Sequence, residues 1–313
     1  MDIIRGLHNV RPEHRGCVAT IGNFDGVHRG HVAVLDALGA QAKQQQLPAL
    51  VIVFEPQPLE YIQPKQAPVR LTRLTTKLHL LQQQQVDRVL VIRFDHKFAA
   101  QSAEQFVQQI LVEQLGVRHI YVGDDFRFGR DRQGDMGLLR QIGKTQGFGV
   151  EQIGTLLAGT ERISSTRIRA ALAAGDMPQA RHCLGRDYAM VGRVQRGDQR
   201  GRTWGFPTLN LPLIEQHSPL RGVYLVKVIG PGGPWAGVAN LGWRPTVAAG
   251  LRLLLEVHLL DVSCDLYGVR VQVQFQQRIR DEQKFANFME LQAQIGRDVQ
   301  QARSLLKMDA EKS

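Results

Sequence analysis

Two short segments carry residue types suited to handling phosphate. The first, Thr20-Ile21-Gly22-Asn23-Phe24-Asp25-Gly26-Val27-His28-Arg29-Gly30-His31, lies where a strand-like run passes into a helical pattern. A helix start offers unpaired N–H groups and partial positive charge, which favours phosphate. Gly22 and Gly26 let the backbone turn tightly and approach a ligand. His28 and His31 are three apart, so both imidazoles project from one face of the first turn. There they would donate to phosphate oxygens that gain charge in a transition state. The same spacing suits a metal, but no third ligand is evident nearby. The second segment, Ile163-Ser164-Ser165-Thr166-Arg167-Ile168-Arg169, opens another helical stretch with three hydroxyls, and Arg169 adds a forked donor. Alone, it reads as an ordinary helix cap.

A third segment, Gly201-Arg202-Thr203-Trp204-Gly205-Phe206-Pro207-Thr208-Leu209-Asn210, is a glycine-rich turn leading through Pro207 into a strand. Thr208 and Asn210 share one strand face, and a hydroxyl plus an amide oxygen suits Mg²⁺. On that pair alone, two polar residues facing solvent is the simpler reading. Glu256 is the lone acid in the apolar run 251–260, where an unpaired carboxylate would be expensive.

Elements must hold these groups in place. In residues 1–185, apolar runs at 17–21, 49–54, 88–92 and 118–122 alternate with helix-period stretches at 32–43, 74–84, 103–115 and 136–146. That alternation predicts an α/β domain with a parallel sheet covered on both faces. Phe54-Glu55-Pro56-Gln57-Pro58 and Gly123-Asp124-Asp125-Phe126-Arg127-Phe128-Gly129 follow two of these strands, at the carboxyl ends where open α/β sheets hold ligands. Phe126 and Phe128 are spaced to line a pocket for a planar ring or simply to pack the loop. Gly137 to Thr145 ends like a phosphate-binding loop, but five residues separate its glycines where four are needed.

Beyond residue 185 the period becomes two, in runs at 223–228, 235–241, 251–260 and 269–275 separated by Gly/Pro turns. This predicts an all-β antiparallel barrel or sandwich over 186–313. A closing helix is capped by Asn287 and Glu290 and buries Leu291, Ile295, Val299 and Ala302.

Composition narrows the classes. The chain has 313 residues and a net charge of +10, with 22 Lys/Arg against 17 Asp/Glu in 1–185 and 17 against 12 beyond. Positive charge so evenly spread, without a long basic run or interleaved aromatics, suits small polyphosphate substrates as well as it suits nucleic acid. No apolar stretch is long enough to span a bilayer, and the first residues lack a signal-peptide core. The separated Cys17, Cys183 and Cys264 form no zinc or disulfide pattern, so a cytoplasmic protein is expected. No membrane, nucleic-acid or obligatory protein partner is expected.

Read together, these segments carry a resemblance. His28-Arg29-Gly30-His31 and the 163–169 box resemble paired elements of the nucleotidyltransferase superfamily, and the loops at 54–58 and 123–129 look like those of bacterial FAD synthetases. The 201–210 segment resembles the riboflavin kinase motif, with Leu209 where the family usually has Ala. Further matches are Gly237-Val238-Ala239-Asn240-Leu241-Gly242, Arg244-Pro245-Thr246, 255–261, 265–268 and 278–285.

The resemblance implies a bacterial bifunctional riboflavin kinase/FMN adenylyltransferase, with a Rossmann-like nucleotidyltransferase domain at 1–185 and a kinase barrel at 186–313. It implies ATP binding by Gly22, Asn23, Phe24, Asp25, Gly26, His28, Gly30, His31, Ser164, Ser165, Thr166 and Arg169 in the first domain. In the second, ATP falls to Gly201, Arg202, Gly205, Pro207, Thr208 and Asn210, with Mg²⁺ on Thr208 and Asn210. It implies flavin binding by Phe54, Pro56, Pro58, Asp124, Asp125, Phe126, Phe128 and Arg280. His28, His31 and Glu256 are the implied catalytic groups, Glu256 as general base; the substrates would be riboflavin, FMN and ATP. A transferase for another small phosphate, or a flavin-binding regulator without activity, stays open.

Overall fold

A computed structural model of the chain describes residues 1–159, 161–196, 206–212, 218–245, 251–262 and 264–310. Gly201, Arg202, Gly205 and Thr246 lie outside the described residues. By internal contacts the chain forms two units, Met1–Pro68 with Thr72–Ser165 and Val69–Leu71 with Thr166–Ser313. The segment 166–185 thus groups with the second unit, earlier than the expected division at 185.

The first unit is built on a parallel six-stranded sheet, in the order β1-β4-β3-β2-β5-β6. Its strands are β1 (Asp2–Arg5), β2 (Cys17–Ile21), β3 (Ala49–Glu55), β4 (Arg88–Arg93), β5 (Val117–Gly123) and β6 (Gly149–Ile153). The four central strands are the apolar runs of the sequence, and both their faces are covered. Leu50, Ile52, Leu90 and Ile120 pack on one side, and Val51, Val53 and Val89 on the other. The edge strands β1 and β6 were not legible as strands, because edge positions half-exposed to water need no continuous apolar run.

Helices α1 (Arg29–Gln45), α2 (Pro58–Ile62), α3 (Leu74–Gln83), α4 (His96–Ala99), α5 (Ala103–Gln105) and α6 (Met136–Gln146) follow the strands. Beyond α5 the helix widens to π winding over Phe106–Gln114. The false phosphate loop is indeed helical, within α6. A small hairpin, β7 (Leu157–Ala158) and β8 (Glu161–Arg162), precedes α7 (Ser165–Ala174) and α8 (Met177–Leu184). Burial at the base of the sheet pushes the Cys17 thiol up to about 12, so it is inert.

The second unit carries an antiparallel sheet in the order β10-β13-β12-β11-β14-β9. The strands are β9 (Tyr188–Arg193), β10 (Thr208–Pro212), β11 (Gly222–Ile229), β12 (Trp235–Pro245), β13 (Leu251–Leu259) and β14 (Arg270–Arg280). Its two edges meet where the Gln195 N–H donates to the Asn210 carbonyl at 2.8 Å, so the sheet curls into a barrel.

Helix α9 (Phe288–Ala310) covers part of the outer surface with Val299 and Ala302, against Val223, Leu225 and Val238. Its cap is as expected: Glu290 N–H donates to Asn287 Oδ1 at 3.0 Å, and the Asn287 amide donates to the Glu290 carboxylate. Asp298 on α9, only 3% exposed, takes Arg280 side-on through Nε and Nη2 and also accepts from Gln294. Removing one partner of a buried ion pair strands the other without solvent. Asp298→Ala should therefore cost about 3–5 kcal/mol of stability, read as a lowered melting transition of the second unit in calorimetry.

Candidate functional site

The first cluster sits at the carboxyl end of β2, where the chain makes an uncommon turn before α1. Phe24 (φ 46°), Gly26 (φ 85°) and Val27 (φ 39°) all occupy left-handed backbone. For a β-branched valine this is strained, and such strain persists only where the surroundings impose it. Asp25 supplies that constraint. Its carboxylate, 2% exposed, accepts from the N–H and hydroxyl of Thr72 at 3.0 and 3.2 Å. The Thr72 hydroxyl in turn accepts from the Gly26 N–H at 3.0 Å.

Beyond that turn, His28 is the N-cap of α1. Its Nδ1 accepts from the His31 N–H, and the His31 Nδ1 accepts from the His28 N–H, both at 3.3 Å. The two rings stack with centroids 3.6 Å apart and planes 15° from parallel. An Nδ1 that accepts is unprotonated, so each neutral ring carries its proton on Nε2, by assignment from the hydrogen bonds. The stacked pair sits at the N-terminus of α1, the positive end of the helix. A Cβ at Gly30 would lie 3.2 Å from the His28 ring, a tight contact, and 3.5 Å from the Ile163 carbonyl.

Ile163 belongs to the second motif, and the Ser165 hydroxyl donates to the Asp25 carbonyl at 2.9 Å. The two boxes, read separately in sequence, therefore meet. Ser164 and Ser165 are half-buried beside the turn, and Asn23 is exposed. Thr166 and Arg169 fall in the second unit, where the Arg169 Nε donates to the Val69 carbonyl at 2.5 Å.

Phe54 joins a line of rings through Phe98 (5.4 Å) and Phe106 to Phe128. Phe128 is only 7% exposed and packs into the core; Phe126, stacked on it at 5.3 Å, stays half-exposed. Asp124 and Asp125 are taken up by Arg162, at 3.0 and 3.2 Å, and Asp124 also accepts from Thr155. Pro56 and Pro58 sit half-buried between β3 and α2, with Pro58 opening α2.

In the barrel, register builds the site. Glu256 on β13 lies directly opposite Asn210 on β10 and directly opposite Asn240 on β12. Thr208 opposes His258 in the adjacent row. Directly opposed residues share a sheet face, so hydroxyl, amides, carboxylate and imidazole line one patch of the outer surface. Leu209 is buried on the other face, as its alternation required. The Asn210 Nδ2 donates to the Thr208 carbonyl at 3.3 Å, which orients the amide. Pro207 leads into the strand, and its carbonyl accepts from the His258 Nδ1 at 2.9 Å.

Asp298 engages the Arg280 guanidinium and the Asp281 carbonyl takes Nη1, which anchors the segment that follows β14. Between that segment and α9 lies a cavity of about 490 Å³ lined by Gln283, Lys284, Phe285, Glu290, Gln294 and Arg297. Among the described residues no cluster of three or more His, Cys, Asp or Glu is placed to hold a metal.

Two family models match the chain, one in each half. A FAD synthetase family model matches residues 10–167 and a riboflavin kinase model matches 184–306. The chain belongs to the bifunctional riboflavin kinase/FMN adenylyltransferase family. Relatives of that description from Escherichia coli (strain K12) and Pseudomonas fluorescens are 52% and 50% identical over 97% of this chain, covering 97% and 98% of their own lengths. A solved Streptococcus pneumoniae structure described as a macrolide-efflux protein shares the fold, with a TM-score of 0.82 at 27% identity over 97% of this chain and 99% of its own. Among the described residues of this family member, no helix is long and apolar enough to cross a membrane.

Thr72 and Arg162 escaped the sequence reading because each acts on a motif remote in the chain, and neither stands in a pattern of its own. Thr72→Val removes the hydroxyl that ties Gly26 to Asp25. It should lower FAD formation from FMN about 5–150-fold, measured by chromatography, because a buried donor left unmade costs about 1–3 kcal/mol. Riboflavin phosphorylation by the same variant should be unchanged.

Proposed function

We propose that the two reactions of the family are divided between two sites in this chain, with a functional boundary near residue 185. The chain is a bifunctional riboflavin kinase and FMN adenylyltransferase of flavin cofactor synthesis. In our reading FMN is adenylylated at the stacked histidines and riboflavin is phosphorylated at the Glu256 strip. The meeting of the 163–169 box with the turn before α1, through Ser165 and Asp25, carries the first assignment.

At the first site an FMN phosphate oxygen attacks the α-phosphorus of ATP. The bond from that phosphorus to the bridging oxygen breaks, and pyrophosphate leaves. No protein nucleophile is needed. His28 and His31 donate through Nε2 to the oxygens on which charge accumulates, while the turn from Gly22 to Gly26, with Asn23, Phe24 and Asp25, holds the triphosphate. Ser164 and Ser165 add donors; Thr166 and Arg169 enter this reading by motif alone. Phe54, Pro56, Pro58 and Phe126 flank the flavin, beside the Asp124–Asp125 loop.

At the second site the 5′-hydroxyl of the ribityl chain gives its proton to Glu256, its oxygen attacks the γ-phosphorus of ATP, and ADP departs. Thr208 Oγ1 and Asn210 Oδ1 are hard oxygen donors on one face, of the kind Mg²⁺ takes. Mg²⁺ there would offset charge on the phosphates. Gly201, Arg202, Gly205 and Pro207 complete the ATP loop. The cavity beside α9, within the size range of ligand pockets, is the proposed seat of the flavin ring. Nothing in this chemistry calls for nucleic acid, a membrane or a partner protein, and it suits a cytoplasmic enzyme.

Incubation with riboflavin and Mg-ATP, followed by chromatography, should yield both FMN and FAD. Glu256→Gln should stop FMN formation yet leave added FMN convertible to FAD. His31→Ala should do the reverse, slowing adenylylation by about 10²–10³-fold as for loss of one charge-stabilising donor. Equal loss of both steps in either variant would refute the division.

A further inference from the structure

The loop after β3 holds a donor that the protein itself leaves unanswered. Gln57, between Pro56 and Pro58, is only 5% exposed. Its backbone is fully used: the N–H donates to Glu60 Oε2 at 2.9 Å, and the carbonyl accepts from the N–H groups of Glu60 (2.9 Å) and Tyr61 (3.4 Å). The side-chain Nε2 is buried and has no hydrogen-bond partner among the described residues. Buried polar groups are nearly always paired, and an amide kept from water without a partner is destabilising. The fold gives this donor a place to act. β3 lies beside β2 in the sheet, and the Gly22 N–H donates to the Ile52 carbonyl at 3.1 Å. The 54–58 loop therefore leaves the carboxyl end of the sheet beside the turn that precedes α1, where open α/β sheets take their ligands.

We propose that Gln57 is a substrate-specificity residue for adenylylation: its Nε2 donates to a carbonyl oxygen on the pyrimidine ring of FMN. The inference rests on the reading that FMN is adenylylated at the first site. The composition of the loop selects a neutral ring over a phosphate. Phe54, Pro56 and Pro58 are apolar and half-buried, whereas the acids Glu55 and Glu60 set an unfavourable potential for an anion. Ligand pockets have apolar walls and a few placed polar groups that fix orientation. An uncharged amide meets that need without a charge to bury. Because Nε2 is unmade in the free protein, its bond is gained only when the ring arrives, and a ligand without the acceptor leaves it stranded.

The test uses the full-length enzyme with FMN and Mg-ATP. Gln57→Met replaces the amide by an unbranched apolar chain of similar length. It should raise KM for FMN in adenylylation about 5–150-fold, with KM for ATP and the rate of riboflavin phosphorylation changed less than about twofold. The melting transition of the ligand-free variant should be no lower than the parent's, because a stranded polar group is removed and no bond is lost. FMN analogues with sulfur at one or the other pyrimidine carbonyl, a weaker acceptor, give a second readout. One of the two should have a KM at least about fivefold above that of FMN with the parent enzyme, and Gln57→Met should shrink that difference to within about twofold. An unchanged KM for FMN, or an analogue difference that survives in the variant, overturns the inference. So does a lowered melting transition, which assigns Nε2 to a trapped water, and so does a rise in KM for ATP instead, which assigns it to the adenine. Should the methionine variant not fold, Gln57→Asn, which withdraws the same amide by one methylene, decides by the same analogue comparison. His31→Ala, run alongside, separates the two levels. Full adenylylation in that variant removes the first-site reading and the inference with it, whereas lost adenylylation there with an unaffected Gln57 variant removes the inference alone.

Discussion

The hydrogen bond from the Ser165 hydroxyl to the Asp25 carbonyl joins points 140 residues apart, and the first site depends on it. Asp25 faces both ways: its carbonyl takes Ser165 and its carboxylate takes Thr72, so three segments are locked at one buried residue. Such a lock is what allows a valine to stay in left-handed backbone two residues later. It also sets the angle at which α1 begins, and so the direction of two stacked imidazoles. Charge stabilisation by donors works only if they are in place before charge develops. A helix tip with a tied-down turn meets that requirement, where a loose glycine loop would not.

The barrel reaches a similar end by a different route. Its polar groups are ordered by strand register. One residue in two faces outward, and pairing places Asn210, Glu256 and Asn240 in a single row with Thr208 and His258 in the next. A slip of one residue would turn every one of these side chains into the core, so the apolar alternation that builds the barrel also protects the site. The buried Arg280–Asp298 pair binds the end of β14 to α9, which positions both Glu282 and the wall of the adjoining cavity.

Arg280, Phe128 and the two aspartates of the 123–129 loop each meet a partner remote in the chain: Arg280 pairs with Asp298, Phe128 packs into the core and the aspartates meet Arg162. Residue type and spacing identify a group able to bind a ligand; which other part of the chain it also meets is set by the fold.

Much was legible from one dimension, and for a stated reason. Apolar strands buried on both faces, alternating strands buried on one, and glycine-histidine and serine-threonine helix starts are local patterns set by neighbours within a few residues. They were enough to place His28, His31, Ser165, Thr208, Asn210 and Glu256 on the right kinds of element. What the sequence could not supply is which distant residues lie opposite one another. Thr72 beneath Asp25, Asn240 across from Glu256, Asp298 under Arg280, and the curl that brings Gln195 to Asn210 are set by topology and register. Those follow from packing the whole chain at once, because burial rewards any apolar partner alike and only the three-dimensional fit selects one.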